Sequence, residues 1–344
     1  MATSLVDICA SLSIPIRIME THTSPQLHRV RLEPGVNSKG RLTKLCSIRS
    51  RTEDIALAIG TYPVTTSQDQ SGFWLEVPRL KRPVLTLDDM KDQSGYRLPI
   101  VLGMGIYNEP VIVDLAEPNT PHMLVAGTTG SGKTVLLKAI LAHLMRCTES
   151  WNMVVIDTKQ DLRAVAGDPR HVTFLKPRIL SWWQKLLKPK RQVLSNSIIT
   201  SPAMAEMALN TLYAQCQARQ RAQVQEPRIL LVIDEYADLV LANKAMMMKT
   251  VRLAQIGRSA GIHMILATQR PSVKVVSGLI KANFPVRVAL KVVTKVDSKV
   301  ILDTGGAEKL LGKGDGLVLL NGKLVRFQGP YVSDKEVVRI INGG

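Results

Sequence analysis

The stretch "PHMLVAGTTGSGKT", Pro121 to Thr134, decides the fold class of this chain of 344 residues. A short apolar run leads into a glycine-rich turn, and an apolar helical pattern follows directly. The turn fits G-x-x-x-x-G-K-[ST] through Gly127, Gly132, Lys133 and Thr134. Glycines let successive backbone N–H groups point into one concavity that holds phosphate oxygens. The strand before the turn and the helix after it favour a nucleotide-binding P-loop over an ordinary glycine turn.

Within this loop, two side chains have separate predicted tasks. Lys133 is expected to reach the β- and γ-phosphates of ATP, and the hydroxyl of Thr134 to bind Mg²⁺. ATP and Mg²⁺ are therefore the predicted cofactors. The predicted nucleotide-binding residues are Gly127, Thr128, Thr129, Gly130, Ser131, Gly132, Lys133 and Thr134.

A second apolar strand, "RILLVIDEYADL", ends in Asp234 and Glu235. Carboxylates there are costly unless they have partners or a function, and the carboxyl edge of a parallel sheet is where ligands bind. Asp234 is expected to complete the Mg²⁺ shell, and Glu235 to orient and deprotonate the attacking water. A third strand, "HMILATQ", ends in Gln269, which is expected to contact the γ-phosphate or that water. A carboxylate base favours nucleotide hydrolysis over transfer to a small metabolite.

The order of patterns predicts an α/β fold. From about residue 97 to 330, continuous apolar strands alternate with helical segments, which is typical of a mostly parallel sheet buried on both faces. Near the end, "GLVLL-NG-KLVRF" predicts a two-residue hairpin, and "SDKEVVRIIN" predicts a capped helix. The first 85 residues carry short alternating segments and a helical "RTEDIALAIG", typical of a small α+β domain. We place the domains at 1–95 and 96–344.

Charge indicates a polyanionic partner. The chain has 45 Lys and Arg against 28 Asp and Glu, a net charge of +17, and we rank nucleic acid ahead of membrane lipid. From Arg270 to Arg326 there are 11 basic residues against 4 acidic ones. A basic stretch without interleaved aromatics suits contact with the phosphates of a duplex better than base stacking on a single strand.

Cysteine spacing argues against a zinc site or a disulfide framework, and hydropathy argues against a membrane-spanning protein. Cys9, Cys46, Cys147 and Cys216 are scattered, with neither a C-x-x-C pair nor a nearby histidine pair. We interpret them as reduced thiols of a cytoplasmic protein. No apolar run approaches the length of a membrane span, and the N-terminus does not have the pattern of a signal peptide.

Several segments in order resemble the motor domain of the FtsK/SpoIIIE family of DNA translocases. They are the P-loop stretch, "RLAQIGRSAGIHMILATQRPS", "GLIKANFPVRVAL" and "TKVDSKVILDTGGAEKLLGKGDG". The resemblance covers much of residues 97–340, and residues 1–95 more loosely resemble the small domain that precedes that motor. It implies a RecA-like P-loop NTPase that forms a hexameric ring around double-stranded DNA and hydrolyses ATP to move along it.

The resemblance also implies roles for individual residues. Arg258, in "QIGRSAG", matches the arginine that reaches the ATP of the neighbouring subunit, with Arg252 as the reserve candidate. The residues that match the Walker A lysine and threonine, the Walker B pair and the sensor glutamine are Lys133, Thr134, Asp234, Glu235 and Gln269. The residues that match basic positions on the pore-facing, DNA-binding loops are Arg270, Lys281, Lys295 and Lys299.

This sequence departs from the family pattern in two respects. Usual members carry an N-terminal membrane anchor, and many carry a C-terminal winged-helix module; neither pattern occurs here. We therefore expect a minimal soluble translocase, and leave open a membrane or recombination partner. The alternatives are a conjugative or DNA-packaging motor and a protein-export ATPase of the type VII secretion kind. A basic segment at 176–193 has no counterpart in the family, and is interpreted as a surface helix or an extra DNA or partner contact.

Overall fold

A computed structural model describes residues 2–37, 40–90, 95–147, 151–167 and 198–342. The basic segment at 176–193 lies outside these residues. The chain divides into two compact units. The smaller comprises Met1–Leu85 and Met104–Pro110, and the larger comprises Thr86–Gly103 and Val111–Gly344.

The smaller unit is an antiparallel sheet with helices, as predicted for an α+β fold. Its elements are α1 (Ala2–Ser11), β1 (Ile16–Thr23), β2 (Leu27–Pro34), α2 (Leu45–Ser50), α3 (Thr52–Ile59), β3 (Thr65–Asp69) and β4 (Gly72–Pro78). The sheet order is β1-β2-β4-β3. Its core includes Ile48 and Ile55 from the helices and Leu75 from β4, all fully buried.

The larger unit is built on one long sheet with helices. Its strands are β5 (Pro99–Gly105), β6 (Pro110–Asp114), β7 (His122–Ala126), β8 (Trp151–Asp157), β9 (Arg228–Asp234), β10 (Ile262–Thr268), β11 (Val286–Leu290), β12 (Asp315–Leu320) and β13 (Lys323–Gln328). Its helices are α4 (Lys133–Cys147), α5 (Pro202–Ala222), α6 (Tyr236–Ala242), α7 (Ala245–Gly257), α8 (Gly278–Asn283), α9 (Lys295–Leu302) and α10 (Asp334–Ile341).

The sheet has the order β6-β5-β13-β12-β11-β7-β10-β9-β8. The five neighbouring strands β11-β7-β10-β9-β8 pair in parallel throughout. Strand β12 pairs antiparallel with both β11 and β13. Every residue of β7, β9 and β10 is buried, because one hydrophobic core contains residues of α5 to α9 and another contains residues of α4 and α10. The predicted α/β fold is confirmed, with a parallel sheet buried on both faces over these five strands, while the nine-stranded sheet as a whole is mixed.

Two local predictions near the end of the chain are also confirmed. Asn321 and Gly322 join β12 to β13, both with positive φ (50° and 76°), as a type I′ turn requires. Ser333 and Glu336 form a reciprocal capping box at the start of α10.

Among the described residues, no helix is long and apolar enough to cross a bilayer. The four cysteines are free, and burial raises the pKa of Cys9 and of Cys216 to about 11.

Candidate active site

The glycine-rich loop runs from the end of β7 to the start of α4, and two of its glycines have left-handed backbone geometry. Gly130 has φ +80° and Gly132 has φ +100°, values that L side chains rarely adopt. A Cβ at Gly132 would also lie only 2.6 Å from the backbone nitrogen of Gly314. That nitrogen donates to the carbonyl of Ser131 at 2.8 Å. The "LLGKGDG" segment therefore packs directly against the phosphate loop.

Backbone hydrogen bonds anchor the loop to the neighbouring strands. The Gly127 N–H donates to the carbonyl of Thr268 at the end of β10. Both the N–H and the hydroxyl of Thr128 donate to the carbonyl of Lys291, just after β11, at 3.0 Å. Since α4 begins at Lys133, the amide groups of its first turn lie at this loop. Such groups lack intrahelical partners and suit a bound phosphate.

Lys133 and Asp234 form a buried ion pair beneath the loop. They are 3% and 1% exposed, and the Lys133 ammonium donates to Oδ1 of Asp234. The other oxygen, Oδ2 of Asp234, is buried and has no hydrogen-bond partner among the described residues. An orphaned carboxylate oxygen is costly, and it is the kind of ligand that a hard cation prefers. The residues present therefore fit a Mg²⁺ ion.

Both carboxylate oxygens of Glu235 accept hydrogen bonds, in four contacts from three donors. The residue takes a left-handed conformation (φ 59°) between β9 and α6 and is 1% exposed. Its Oε1 accepts from the Thr268 hydroxyl (2.9 Å) and from the Gln269 N–H (3.1 Å). Its Oε2 accepts from the Lys159 ammonium (3.0 Å) and from the same Gln269 N–H (3.2 Å).

These contacts keep Glu235 ionised. Burial opposes the charged form, but the Lys159 ammonium, the Gln269 N–H and the Thr268 hydroxyl outweigh it and hold the pKa of Glu235 below its ordinary value. An ionised carboxylate beside a phosphate loop can accept a proton from water, which is general-base chemistry.

Gln269 joins Glu235 to the phosphate loop. Its backbone N–H donates to the Glu235 carboxylate, and its side-chain Oε1 accepts from the Thr129 hydroxyl at 3.1 Å. The structure thus brings together four of the residues singled out from the sequence, Lys133, Asp234, Glu235 and Gln269, at the carboxyl edge of the sheet.

Arg258 lies at the opposite edge. It occupies the short 3₁₀ turn Arg258–Ala260, immediately before the amino end of β10, and it is exposed. A strand of seven residues spans about 20 Å. Arg258 therefore does not reach the phosphate loop of its own chain. Arg252, the reserve candidate, is exposed on α7.

The four predicted DNA-binding residues are not gathered at one place. Arg270 and Lys295 are exposed near the carboxyl edge, after β10 and β11, and Lys299 is exposed on α9. Lys281, on α8 before β11, instead belongs to the amino edge. Its ammonium lies 2.6 Å from a carboxylate oxygen of Asp303.

Asp157, Lys159 and Thr268 belong to the site, although the sequence pattern did not single them out. Asp157 ends β8 directly beside Asp234 in the sheet, and burial raises its pKa, with the charge of Asp234 adding to the effect. The signal that identified Asp234, an apolar run ending in an acidic residue, also occurs in "MVVIDTK". It could therefore have identified Asp157.

Solved structures of two P-loop ATPases share this fold. The conjugation coupling protein TcpA of pCW3, in its monomer form with ATPγS, matches with a TM-score of 0.63 at 21% identity over 99% of this chain and 98% of its own. The cytoplasmic domain of the type VII secretion ATPase EccC of Thermomonospora curvata matches with a TM-score of 0.58 at 20% identity, over 74% of this chain and 32% of its own.

Sequence comparison identifies closer relatives. DNA translocase FtsK of Haemophilus influenzae is 37% identical over 347 residues, which is 91% of this chain and 64% of the relative. DNA translocase FtsK 2 of Neisseria meningitidis is 33% identical over 362 residues, 96% of this chain and 35% of the relative. This chain thus spans between about a third and two thirds of the length of these relatives. The model of the FtsK/SpoIIIE family matches residues 86–273, and the chain belongs to that family.

Proposed function

We propose that this protein is an ATP-driven translocase of double-stranded DNA that works as a ring of six subunits. The observation that carries the proposal is the cluster of Lys133, Asp234 and Glu235 beneath a phosphate loop, in a chain whose curated relatives are named DNA translocases.

In the proposed reaction each residue of the cluster has one task. The glycine loop and the first turn of α4 bind the phosphates of ATP, and Lys133 exchanges its bond to Asp234 for the β- and γ-phosphate oxygens. Asp234 and the Thr134 hydroxyl would then hold Mg²⁺, which neutralises charge on those phosphates. Glu235 orients the attacking water and accepts its proton, and Gln269 contacts the γ-phosphate or that water.

The proposed ring gives Arg258 its task. Because Arg258 lies a strand's length from its own phosphate loop, its guanidinium can stabilise the transition state only on a neighbouring subunit. Hydrolysis then requires an assembled ring, which is the arrangement that the family resemblance implies.

Basic side chains supply the proposed contacts with DNA phosphates. Arg270, Lys295 and Lys299 are exposed and available to phosphates. Lys281 would exchange Asp303 for a phosphate, and Asp303 would keep Arg287 as a partner at 2.5 Å. Such contacts track the backbone of a duplex without reading its sequence.

A second candidate is a conjugative motor, which would use the same chemistry but receive its DNA from a partner. The match to TcpA over nearly the whole of both chains supports this candidate through shared fold and length. A type VII protein exporter is less well supported, since the EccC match covers 74% of this chain.

The test is ATP turnover by the full chain with and without linear duplex DNA, together with displacement of a third strand from a triplex. We expect duplex DNA to stimulate turnover and the third strand to be displaced, and Lys133→Ala to lose both. Stimulation without displacement would favour the conjugative motor. Turnover indifferent to DNA would contradict both DNA functions.

A further inference from the structure

Lys159 lies on a loop that the fold holds firmly in place. The carboxylate of Asp157, fully buried at the end of β8, accepts from the backbone N–H groups of Lys159 (3.0 Å), Gln160 (2.9 Å) and Leu162 (2.8 Å). The Leu162 side chain is fully buried in the core. These contacts hold the backbone at Lys159 in place, and the long side chain extends from this ordered backbone.

That side chain reaches two carboxylates. Its ammonium lies 3.0 Å from Oε2 of Glu235 and 3.8 Å from Oδ2 of Asp238, one turn into α6. Glu235 is buried, whereas the side chains of Lys159 and Asp238 are 38% and 40% exposed. The ammonium thus lies between a buried partner and an exposed one, and a small rotation of a flexible stem can exchange one for the other.

Lys159 competes with water for one oxygen of Glu235. Its ammonium donates to Oε2, which otherwise receives only part of the Gln269 N–H that is shared between the two oxygens. Thr268 and Gln269 donate from the end of the buried strand β10. Of the three donors, only Lys159 binds through an exposed, flexible side chain. It is therefore the partner that can leave.

We propose that Lys159 is a positioning residue that restrains Glu235, and that transfer of its ammonium to Asp238 frees Oε2 for the attacking water. The inference rests on the proposed ATPase function of the same site. It adds a restraint on Glu235 from a residue outside the Walker motifs. It predicts that loss of the charge at Lys159 raises the basal kcat and that loss of the charge at Asp238 lowers it.

The experiment compares ATP turnover by the full chain carrying Lys159→Met, Lys159→Arg or Asp238→Asn. Lys159→Met keeps the aliphatic stem and removes the charge, so the basal kcat should rise severalfold and KM for ATP should stay the same. Asp238→Asn removes the alternative acceptor, so the ammonium stays on Glu235 and the basal kcat should fall. Lys159→Arg keeps the cation and should restore the basal kcat toward that of the parent chain.

Lys249→Met is the matched control, because Lys249 pairs with Glu206 at 2.6 Å between α5 and α7, away from the phosphate loop. It should not change the basal kcat. Lys159→Gln serves as a second uncharged variant should Lys159→Met fold poorly. A basal kcat that stays the same or falls in the uncharged variants would overturn the restraint.

A second measurement needs no turnover and separates this inference from the proposed function. A double-mutant cycle of Lys159→Met and Glu235→Gln in urea unfolding should give a favourable coupling between the two side chains, larger than that of Lys159 with Asp238. Absence of coupling would overturn the inference even if the chain is an active ATPase. Clear coupling in a chain that does not hydrolyse ATP would refute the proposed function and leave the pairing in place.

Discussion

The two edges of the parallel sheet hold the residues proposed for ATP hydrolysis in opposite ways. At the carboxyl edge, Lys133, Asp234 and Glu235 are almost fully buried and bonded to groups of their own chain. At the amino edge, Arg258 is exposed and Lys281 forms an ion pair near the surface. A buried group acts on what enters its own pocket, whereas an exposed group can act on another molecule. One chain therefore carries both halves of the proposed hydrolysis site, but a strand's length apart.

The largest effect is expected at the carboxyl edge. Glu235→Gln keeps the shape and removes the base, so turnover should fall by about 10²–10⁴-fold while ATP binding persists. Steady-state turnover and binding of a fluorescent ATP analogue measure the two properties. The control is Glu206→Gln, which alters a half-exposed carboxylate paired with Lys249. Turnover of Glu235→Gln close to that of the parent chain would mean that another group is the base.

Burial makes the Lys133–Asp234 pair a test of stability as well as of activity. Lys133→Ala leaves the Asp234 carboxylate buried and unpaired, so the free energy of unfolding should fall by about 3–5 kcal/mol. Lys133→Ala/Asp234→Asn should recover much of this loss and still not hydrolyse ATP. Lys249→Ala breaks an ion pair near the surface and should lower the free energy of unfolding much less. Equal losses at the two pairs would contradict the difference in burial.

The pH dependence of the free energy of unfolding tests whether the histidines of the larger unit are buried away from water. Burial lowers the pKa of His122 to about 3 and of His263 to about 4, both at the amino ends of strands, and the pKa of His143 on α4 to about 4. Between pH 6.5 and about 4 the unfolded chain binds protons that the folded chain does not. The free energy of unfolding should therefore fall with falling pH, by about 1.4 kcal/mol per unit for each histidine.

The measurement is urea unfolding across this range of pH, in which His122→Leu should reduce the slope by about one proton. Met123→Leu, at a buried residue beside His122 that carries no titratable group, is the control and should leave the slope unchanged. No change in slope for His122→Leu would indicate that its imidazole is solvated.

The smallest effect is expected at basic residues near the surface. Lys281→Ala/Lys295→Ala should weaken duplex binding equally for all sequences and lower the salt dependence of binding by about 1.8 in logarithmic slope, if each lysine contacts one phosphate. Binding titrations at several salt concentrations measure this. Lys249→Ala, which also removes one lysine charge, is the control. An unchanged slope in the double variant would remove both lysines from the DNA path.

The carboxyl edge could be predicted from sequence because its constraints are local. A glycine loop between a strand and a helix seldom occurs together with acidic residues at the end of an apolar strand unless the chain binds a nucleotide. The structure places Lys133, Asp234 and Gln269 together, as this pattern predicts. The position of Arg258 did not follow from its residue type, since a single arginine on a helix resembles any solvated cation. Only the family resemblance identified it.

Lys159 was missed for a physical reason. It follows a strand-end aspartate by two residues, and its contact with Glu235 depends on the register of β8 against β9, strands that meet across a long sequence separation. The division of the chain depends on non-local packing in the same way, since residues 104–110 belong to the smaller unit although they connect two strands of the larger sheet.

The claim that the two edges meet between subunits can be tested directly by mixing two inactive variants. Arg258→Ala keeps its base, and Glu235→Gln keeps its arginine, so each alone should bind ATP and hydrolyse it poorly. In mixed assemblies some interfaces combine an intact Arg258 with an intact Glu235, and ATP turnover with duplex DNA should recover to a measurable fraction of that of the parent chain. Turnover that stays at the level of the separate variants, with mixed assemblies shown to form, would contradict hydrolysis between subunits.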